Sequence, residues 1–404
     1  MKILIAIEDL RTGGAQIFGM RLAQALHERG HQVWIYSHYP SYTNHSLVRQ
    51  VAPDVPVLGF DALGIPGLEW FSRKVQGLLY RFGKSFPLRE SWVKRHLSQT
   101  IEALGVQLIN THMIKSDYVA TAAGEAARPQ VPVVITMHGC YEEFLHKPSQ
   151  FGVTIKSREA LRQAAALVYL TKKNLEIFTV PGVRAFDDVP HAQIYNGFDG
   201  HFSAAEVLPT RAQLGIGVND IVFGMVARGI VEKGWQYALN AFEEVSTGHH
   251  NAHLILVGNS DYLTGLAAVT ESPHVHFVGF AVNPIDWVRL FDVGLLPSYF
   301  ASESLPNSIA EYLFCGVPVV ATRIGEIPQM LEVPGQGLAG MLIEQNGYGL
   351  TDPSALTSAL RAYLTDPELL DMHKARAMLC FEKFKMSRCI ASYEAIFAEA
   401  LNTV

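Results

Sequence analysis

Cysteine is scarce in this sequence: Cys140, Cys315, Cys380 and Cys389 are the four among 404 residues, and no two are spaced as Cys-x-x-Cys. That leaves neither a zinc site nor a disulfide framework to expect, and reduced, mostly structural thiols suit a cytosol. An excess of positive charge is also missing. With 32 Lys and Arg against 38 Asp and Glu, the formal net charge is -6; the chain lacks the basic signature of a nucleic-acid binder, and no nucleic-acid partner is expected. Long apolar runs are missing too. The opening "ILIAI" meets Glu8 and Asp9 almost at once, too short for a secretory leader, and no later run approaches the ~20 residues of a membrane span. The expectation is a soluble, cytoplasmic chain.

What the sequence does hold is apolar material for two cores. Hydrophobic residues make up 49% of the chain, and 404 residues exceed what one core usually supports. "MKILIAI" reads as a buried strand, "EDLRTGGAQ" as a glycine loop, "IFGMRLAQALHERG" as a helix and "HQVWIYS" as a second strand, which makes a βαβ unit. Further strands follow in "VQLINTH", "VPVVITMHG" and "AALVYLT". After "IYNGFDG" the pattern restarts with "DIVFGMVAR", "AHLILVG", "VHFVGF", "VGLLPS" and "PVVAT", separated by helical stretches such as "GWQYALNAFEEV". The fold class expected is α/β, with two Rossmann-like doubly wound domains over residues 1–195 and 196–383. A C-terminal helix over residues 384–404 is expected to pack back across the domain junction. Open parallel sheets bind ligands outside the carboxyl ends of their strands, so two such edges facing each other would make an interdomain cleft for two substrates.

Two patterns look informative and read as ordinary structure. "HERGH", His27 to His31, matches the His-Glu-x-x-His of zinc peptidases, but Gly30 caps the helix before the β-rich "HQVWIYS" and takes His31 off the helix face. "GQGLAG", residues 335–340, fits Gly-x-Gly-x-x-Gly without a clear strand before it or a helix after it, and reads as a turn. "RTGGAQ" is better placed. Gly13 and Gly14 lie between the first strand and its helix, where bare backbone can approach a phosphate at a helix N-terminus, although a tight turn alone also asks for glycine.

"MVARGIVEKGW" sets Arg228 at a strand end and Lys233 in the loop after it. Fixed cations there would stabilise a diphosphate leaving group more in the transition state than in the ground state; the plainer reading is two solvated surface charges. In "ESLPNSIAEYLFCGVPVVAT", Ser304 and Pro306 are helix start signals, Ile309, Ala310, Leu313 and Phe314 form an apolar face, and Gly316 with Pro318 ends the helix. Glu303 falls just before this helix and Glu311 off its apolar face, on the side of Asn307. A carboxylate suits the vicinal hydroxyls of a sugar, and a helix N-terminus suits a phosphate; otherwise Glu303 is a loop charge and Glu311 a solvated helix residue.

Taken in order, these segments resemble a known family. "SESLPNSIAEYLFCGVPVVATRIGEIPQML" resembles the Glu-x7-Glu region of retaining glycosyltransferases of family 4 (glycosyltransferase group 1), which have the GT-B fold. "GGAQ" resembles their glycine loop, "TMHG" their histidine after a central N-domain strand, "IYNGFD" their domain crossover and "ARGIVEKG" their Arg and Lys pair. The resemblance implies a retaining hexosyltransferase in which Glu303 contacts donor sugar hydroxyls, Glu311 the ribose, and Arg228 and Lys233 the diphosphate. It places His138 beside the reacting sugar, adds amides after Glu303, including those of Ser304, Leu305 and Asn307, and counts Gly13 and Gly14 among the donor-binding residues. Ser304 stands where the family commonly has glycine, which would narrow the sugar pocket, and Gln16 where it commonly has glutamate. Asp-x-Asp occurs nowhere, so no metal is expected. No cofactor is expected either; the nucleotide sugar, UDP- or GDP-linked, is a substrate.

The remaining expectations concern histidines and the acceptor. His138 after "VPVVITM" is read as a site residue on the motif, whereas His112 after "VQLINT" is read only as a hydrogen-bonded neighbour. Residues 69–97 carry Arg73, Lys74, Arg81, Lys84, Arg89, Lys94 and Arg95 against Glu69 and Glu90, interleaved with Trp70, Phe71, Tyr80, Phe82, Phe86 and Trp92. Such a stretch suits an anionic membrane face and a lipid-linked saccharide acceptor, or else an ordinary helix pair with apolar core and solvated cations. A soluble acceptor, a sugar-nucleotide 2-epimerase of similar two-domain fold and a non-catalytic sugar-nucleotide binder stay open as alternatives.

Overall fold

The first strand, β1 (Lys2–Ile7), is apolar and buried from Ile3 to Ile7, as a strand covered on both faces has to be. The computed structural model describes residues 1–60, 67, 70–71, 74–75, 78, 88–139, 141, 153–179, 186–200 and 208–403. They fall into two compact units, Met1–Gly197 together with Met386–Val404, and Phe198–Lys385.

In the first unit β1 lies between β2 (Gln32–Ser37) and β4 (Leu108–His112), with Ile3 opposite both Val33 and Leu108. Adding β3 (Val57–Gly59), β5 (Val133–Met137), β6 (Ala166–Tyr169) and β7 (His191–Gln193) gives a seven-stranded parallel sheet in the order β3-β2-β1-β4-β5-β6-β7. Its helices are α1 (Gly14–Glu28), α2 (His45–Val51), α3 (Leu88–Leu104), α4 (Ile114–Ala126) and α5 (Val153–Gln163). Side chains alternate across the sheet. Ile3, Ile5 and Ile7 pack with Phe18, Leu22 and Leu26 of α1, while Leu4 and Ala6 share the other core with Leu97 and Ala120.

The last helix, Met386–Asn402, belongs to this unit although the chain passes through the second unit first. Its buried residues Ile390, Tyr393, Ile396, Phe397 and Ala400 recur at helical spacing and join the core on the Ile3 face. Gly197 makes that possible: a Cβ there would lie 2.6 Å from Met386 Sδ and 2.8 Å from Cys389 Cβ.

In the second unit β8 (Ile221–Val226), β9 (Ala252–Val257), β10 (Val275–Gly279), β11 (Val293–Leu296), β12 (Val319–Thr322) and β15 (Gly340–Ile343) form a six-stranded parallel sheet, order β10-β9-β8-β11-β12-β15. A small antiparallel pair, β13 (Glu332–Val333) and β14 (Gly337–Leu338), stands beside it in the chain. The helices are α6 (Trp235–Ser246), α7 (Asp261–Val269), α8 (Ile285–Val288), α9 (Asn307–Phe314), α10 (Ile327–Leu331), α11 (Ser354–Thr365) and α12 (Pro367–Phe381). Phe223, Met225, Leu254 and Leu295 from the strands meet Trp235, Phe242, Leu356 and Leu360 from the helices.

The two decoy patterns have structural explanations. After α1 ends, Gly30 adopts φ 88°, and His31 precedes β2 with Nδ1 3.1 Å from the Met1 amino group and Nε2 2.9 Å from Glu394. Residues 335–340 run from the turn after β13 through β14 to the first residue of β15, so only part of the stretch is a turn; at Gly340, φ is 152° and a Cβ would come within 1.9 Å of the Val319 carbonyl oxygen. No described helix is long and apolar enough to cross a membrane. Much of the basic aromatic stretch, including Arg73, Arg81 and Lys84, lies outside the described residues, as does Cys140. Within it, Trp70 and Phe71 are exposed, but Val93 and Leu97 of α3 are core residues. Arg89 is also buried. It donates to the His38 carbonyl oxygen at 2.5 Å and lies 3.9 Å from the centre of the Tyr39 ring, so this cation does not face solvent or lipid.

Candidate active site

In the second unit the candidate residues collect where β8 and β11 end. The loop after β8 is pinned from below: Trp235, fully buried at the start of α6, donates its Nε1–H to the Arg228 carbonyl oxygen at 3.0 Å. A short turn, Val231–Lys233, then brings Lys233 inward. Gly234 follows with φ 84°, and a Cβ on it would meet the Pro297 carbonyl oxygen at 2.1 Å, so this position needs glycine twice over. The segment after β11 closes on that turn through Tyr299, whose N–H donates to the Glu232 carbonyl oxygen at 2.8 Å.

Lys233 and Glu303, read from sequence as separate ligand contacts, are each other's partners: Lys233 Nζ donates to Glu303 Oε2 at 2.5 Å, and both residues are buried. Ser298 Oγ donates to the same oxygen at 2.8 Å. The hydrogen bonds to Glu303 among the described residues all fall on Oε2 and none on Oε1. The Phe300 ring lies beneath two cations, 5.3 Å from Lys233 Nζ and 5.0 Å from Arg228 Cζ. Arg228 is exposed, unlike Lys233.

The backbone after Glu303 is held by a glycine. Glu326 N–H donates to the Ser304 carbonyl oxygen at 2.8 Å, and Gly325, at φ 55°, packs so closely that a Cβ would come within 2.3 Å of the Glu303 carbonyl oxygen. Pro306 caps α9 without a side-chain hydrogen bond, and the amides of Ser304, Leu305 and Asn307 have no partner among the described residues. Tyr312 orients α9. Its hydroxyl accepts from Val226 N–H at 2.7 Å and donates to the Leu295 carbonyl oxygen at 3.2 Å, while Gly294 makes room for its ring. With Tyr312 turned to the sheet, Glu311 stays half-buried on another side of the helix, and burial together with its charge pushes the Cys315 thiol up to about 12. Sequence reasoning missed Ser298, Phe300, Gly234 and Gly325; "PSYFASES", "EKGW" and "RIGE" carry them, but most of their contacts reach across distant parts of the chain, as those of Phe300 with Lys233 and Arg228 do, and no local spacing shows them.

In the first unit Gly13 caps α1 in extended backbone, and a Cβ there would sit 2.3 Å from Gln16 Oε1. Gln16 Nε2 reaches Asp9 Oδ1 at 3.3 Å. Burial raises the Asp9 carboxyl, but hydrogen bonds from Arg11 and Gln16 and the charge of Arg11 outweigh it and leave it below the usual range. Gly14, exposed, opens the helix. At the ends of β4 and β5, His112 and His138 meet, His112 Nδ1 being 2.8 Å from His138 Nε2, with the Phe18 ring against both. Burial pushes the His138 imidazole down to about 3. Gly13, Gly14 and His138 thus belong to the first unit, and Arg228, Lys233, Glu303, Ser304, Leu305, Asn307 and Glu311 to the second.

Comparison with known proteins identifies the family. Residues 12–199 match the model of Glycosyltransferase Family 4, and residues 220–366 that of Glycosyl transferases group 1. The chain is 27% identical to a 2-deoxystreptamine glucosyltransferase of Streptomyces kanamyceticus over 74% of this chain and 86% of that protein. It is 23% identical to N-acetyl-alpha-D-glucosaminyl L-malate synthase of Bacillus anthracis, over 99% and 98%. Among solved structures, Anabaena HepE in complex with UDP superposes with a TM-score of 0.73 at 19% identity, over the full length of both chains. The chain therefore belongs to family 4 of the glycosyltransferases, the group 1 enzymes, and has their GT-B fold.

Proposed function

We propose that this glycosyltransferase moves a hexose from a UDP- or GDP-linked donor to a hydroxyl acceptor, with retention of configuration and without a metal ion or other cofactor. The observation that carries the reading is the state of Glu303: one carboxylate oxygen is committed to Lys233 and Ser298, while the other, like the amides of Ser304, Leu305 and Asn307 that follow it in the chain, has no partner among the described residues. A free carboxylate oxygen accepts a sugar hydroxyl, and the amides suit phosphate oxygens. An ammonium has three N–H groups, so Lys233 keeps two for the diphosphate while it neutralises Glu303. Arg228 supplies a second cation, and Glu311 accepts from the ribose hydroxyls. In the first unit Gly13 and Gly14 admit the donor, and His138 lies beside its sugar.

In this mechanism the acceptor hydroxyl attacks the anomeric carbon on the face from which the diphosphate leaves. The bond between that carbon and the phosphate oxygen breaks, its electron pair stays on the oxygen, and this oxygen takes the acceptor's proton. Lys233 and Arg228 stabilise the charge as it develops, which replaces a metal-bound diphosphate. The UDP in the HepE complex and the glucosyl and glucosaminyl groups in the relatives' names favour UDP and a gluco-configured sugar.

For the acceptor, the basic aromatic stretch supports a lipid-linked saccharide used in polysaccharide or glycolipid assembly at the inner membrane face. A small soluble polyol is the second reading, favoured by the burial of Arg89 and by relatives named for 2-deoxystreptamine and L-malate. A panel of nucleotide sugars, with and without acceptors and with and without EDTA, tests all of this. Acceptor-dependent release of nucleotide that survives chelation is expected. Altered donor stereochemistry without acceptor would indicate an epimerase, tight binding without turnover a sensor, and an inverted product would remove retention.

A further inference from the structure

The tautomer of His138 follows from a chain of hydrogen bonds that starts inside β4. Asn110 is fully buried, and its Nδ2 donates to the Val134 carbonyl oxygen at 2.9 Å and to Thr136 Oγ1 at 3.0 Å. A carbonyl only accepts, so the amide is fixed this way round. Its Oδ1, 2.9 Å from His112 Nε2, is therefore an acceptor, and His112 Nε2 carries a proton. Burial and the neighbouring His138 ring keep His112 neutral, which leaves its Nδ1 bare. That lone pair lies 2.8 Å from His138 Nε2, so His138 has to carry its own proton there. His138 is neutral too, and its Nδ1, with no partner among the described residues, is left as an acceptor.

The surroundings hold this arrangement in place. Phe18 packs 5.8 Å from the His112 ring and 5.6 Å from the His138 ring, centre to centre. Gly19, one residue on, has no side chain because a Cβ would stand 2.8 Å from Ile7 Cδ1 and 3.4 Å from the His112 ring. Thr136 Oγ1 continues the network to the Tyr393 hydroxyl at 3.2 Å. Directly after His112, Met113 has φ 78°, the only positive φ at a described non-glycine residue, a conformation that persists only where its surroundings impose it.

We propose that His112 is a positioning residue: with Asn110 behind it, it locks His138 as the Nε2–H tautomer, so that His138 Nδ1 accepts a hydrogen bond from a hydroxyl of the bound sugar. The role rests on His138 lying beside the donor sugar, as proposed above. In the opposite tautomer Nδ1 would donate to that hydroxyl and its polarity would be reversed.

The test is a long-range ¹H–¹⁵N correlation of the histidine rings in the full chain at neutral pH, combined with kinetics on the best UDP-sugar and acceptor. Wild-type His138 should show a protonated Nε2 and a bare Nδ1. His112→Leu should give a mixture of His138 tautomers and lower kcat by about tenfold to a hundredfold, with the donor KM changed by less than about twofold. His112→Asn, whose Oδ1 replaces the lost acceptor, should restore one tautomer and most of kcat. A proton on Nδ1 in the wild type overturns the inference, as does a wild-type kcat in a tautomerically mixed His112→Leu. Should His112→Leu not fold, the wild type and His112→Asn still decide, since Nδ1–H in either is fatal. A wild type with the expected tautomer and no transfer from any donor would instead sink glycosyl transfer, and the role with it.

Discussion

The two sheets offer their ligands opposite kinds of polarity. Around His138 the buried groups are neutral, a run of imidazole, amide and hydroxyl that passes hydrogen bonds from one to the next. At the corresponding strand ends of the second unit, the buried groups are an ammonium and a carboxylate sharing one oxygen with a serine. A neutral network costs little to bury and fixes direction, donor here and acceptor there. A charged pair costs far more to desolvate and supplies field. Under the proposed function, the first kind of polarity suits sugar hydroxyls and the second a departing diphosphate.

That contrast can be broken at its charged end with the largest effect. Lys233→Ala should cut turnover by roughly a hundredfold or more. It should also destabilise the second unit by about 3–5 kcal/mol, because Glu303 is left buried without its cation. Urea unfolding of Lys233→Met combined with Glu303→Gln should show stability regained and turnover still lost. Turnover near the wild-type value at saturating donor would remove Lys233 from the diphosphate. Arg228, exposed, should separate the two effects: Arg228→Ala lowers turnover by about tenfold yet leaves stability within about 0.5 kcal/mol. Its effect in a Lys233→Ala background should be less than additive.

Smaller effects sharpen the assignment within the charged site. Glu311→Ala should weaken binding of free UDP by about tenfold in calorimetry, while Glu303→Ala leaves that affinity unchanged and impairs use of the whole donor. Equal losses in the two variants would mean the ribose and sugar contacts are wrongly divided. At the neutral end the expected effect is none. Burial lowers the His138 pKa to about 3, so the charged form appears only well below the ordinary value. Its ring nitrogen shifts should therefore stay fixed from about pH 8 to pH 5; a step near 6.5 would make the ring a solvated one.

Much of the fold was legible because the central strands declare themselves locally, whereas the edge strands β3, β7 and β15 went unread. "ILIAI" and "VPVVITM" are continuous apolar runs, which only a strand buried on both faces requires, and both are strands of the first sheet. The helix after Glu303 announced its end with Gly316, but it starts at Asn307 behind Pro306, and its most constrained residue is Tyr312, absent from the apolar face read by periodicity. Pairings were not legible. Lys233 and Glu303 are 70 residues apart, and His112 and His138 meet only because β4 and β5 are neighbours. Charge misled at Arg89, where an arginine among aromatics read as a surface cation and proved to be packed over Tyr39. The last helix was legible as a helix, but not the core that receives it.

That last helix has a consequence for the order in which the protein can assemble. Tyr393, Phe397 and Ala400 are wholly enclosed in the core built on β1 and α1, whose own residues lie some 370 positions earlier in the chain. Domains generally fold as units, the N-terminal one first, as synthesis proceeds. Here the core around Phe18, Leu22 and Ile5 gains the side chains of Met386–Asn402 only after Phe198–Lys385 has been made. The second unit, continuous in sequence, has all its parts as soon as Lys385 has emerged. The unit begun first is thus the unit whose core is completed last.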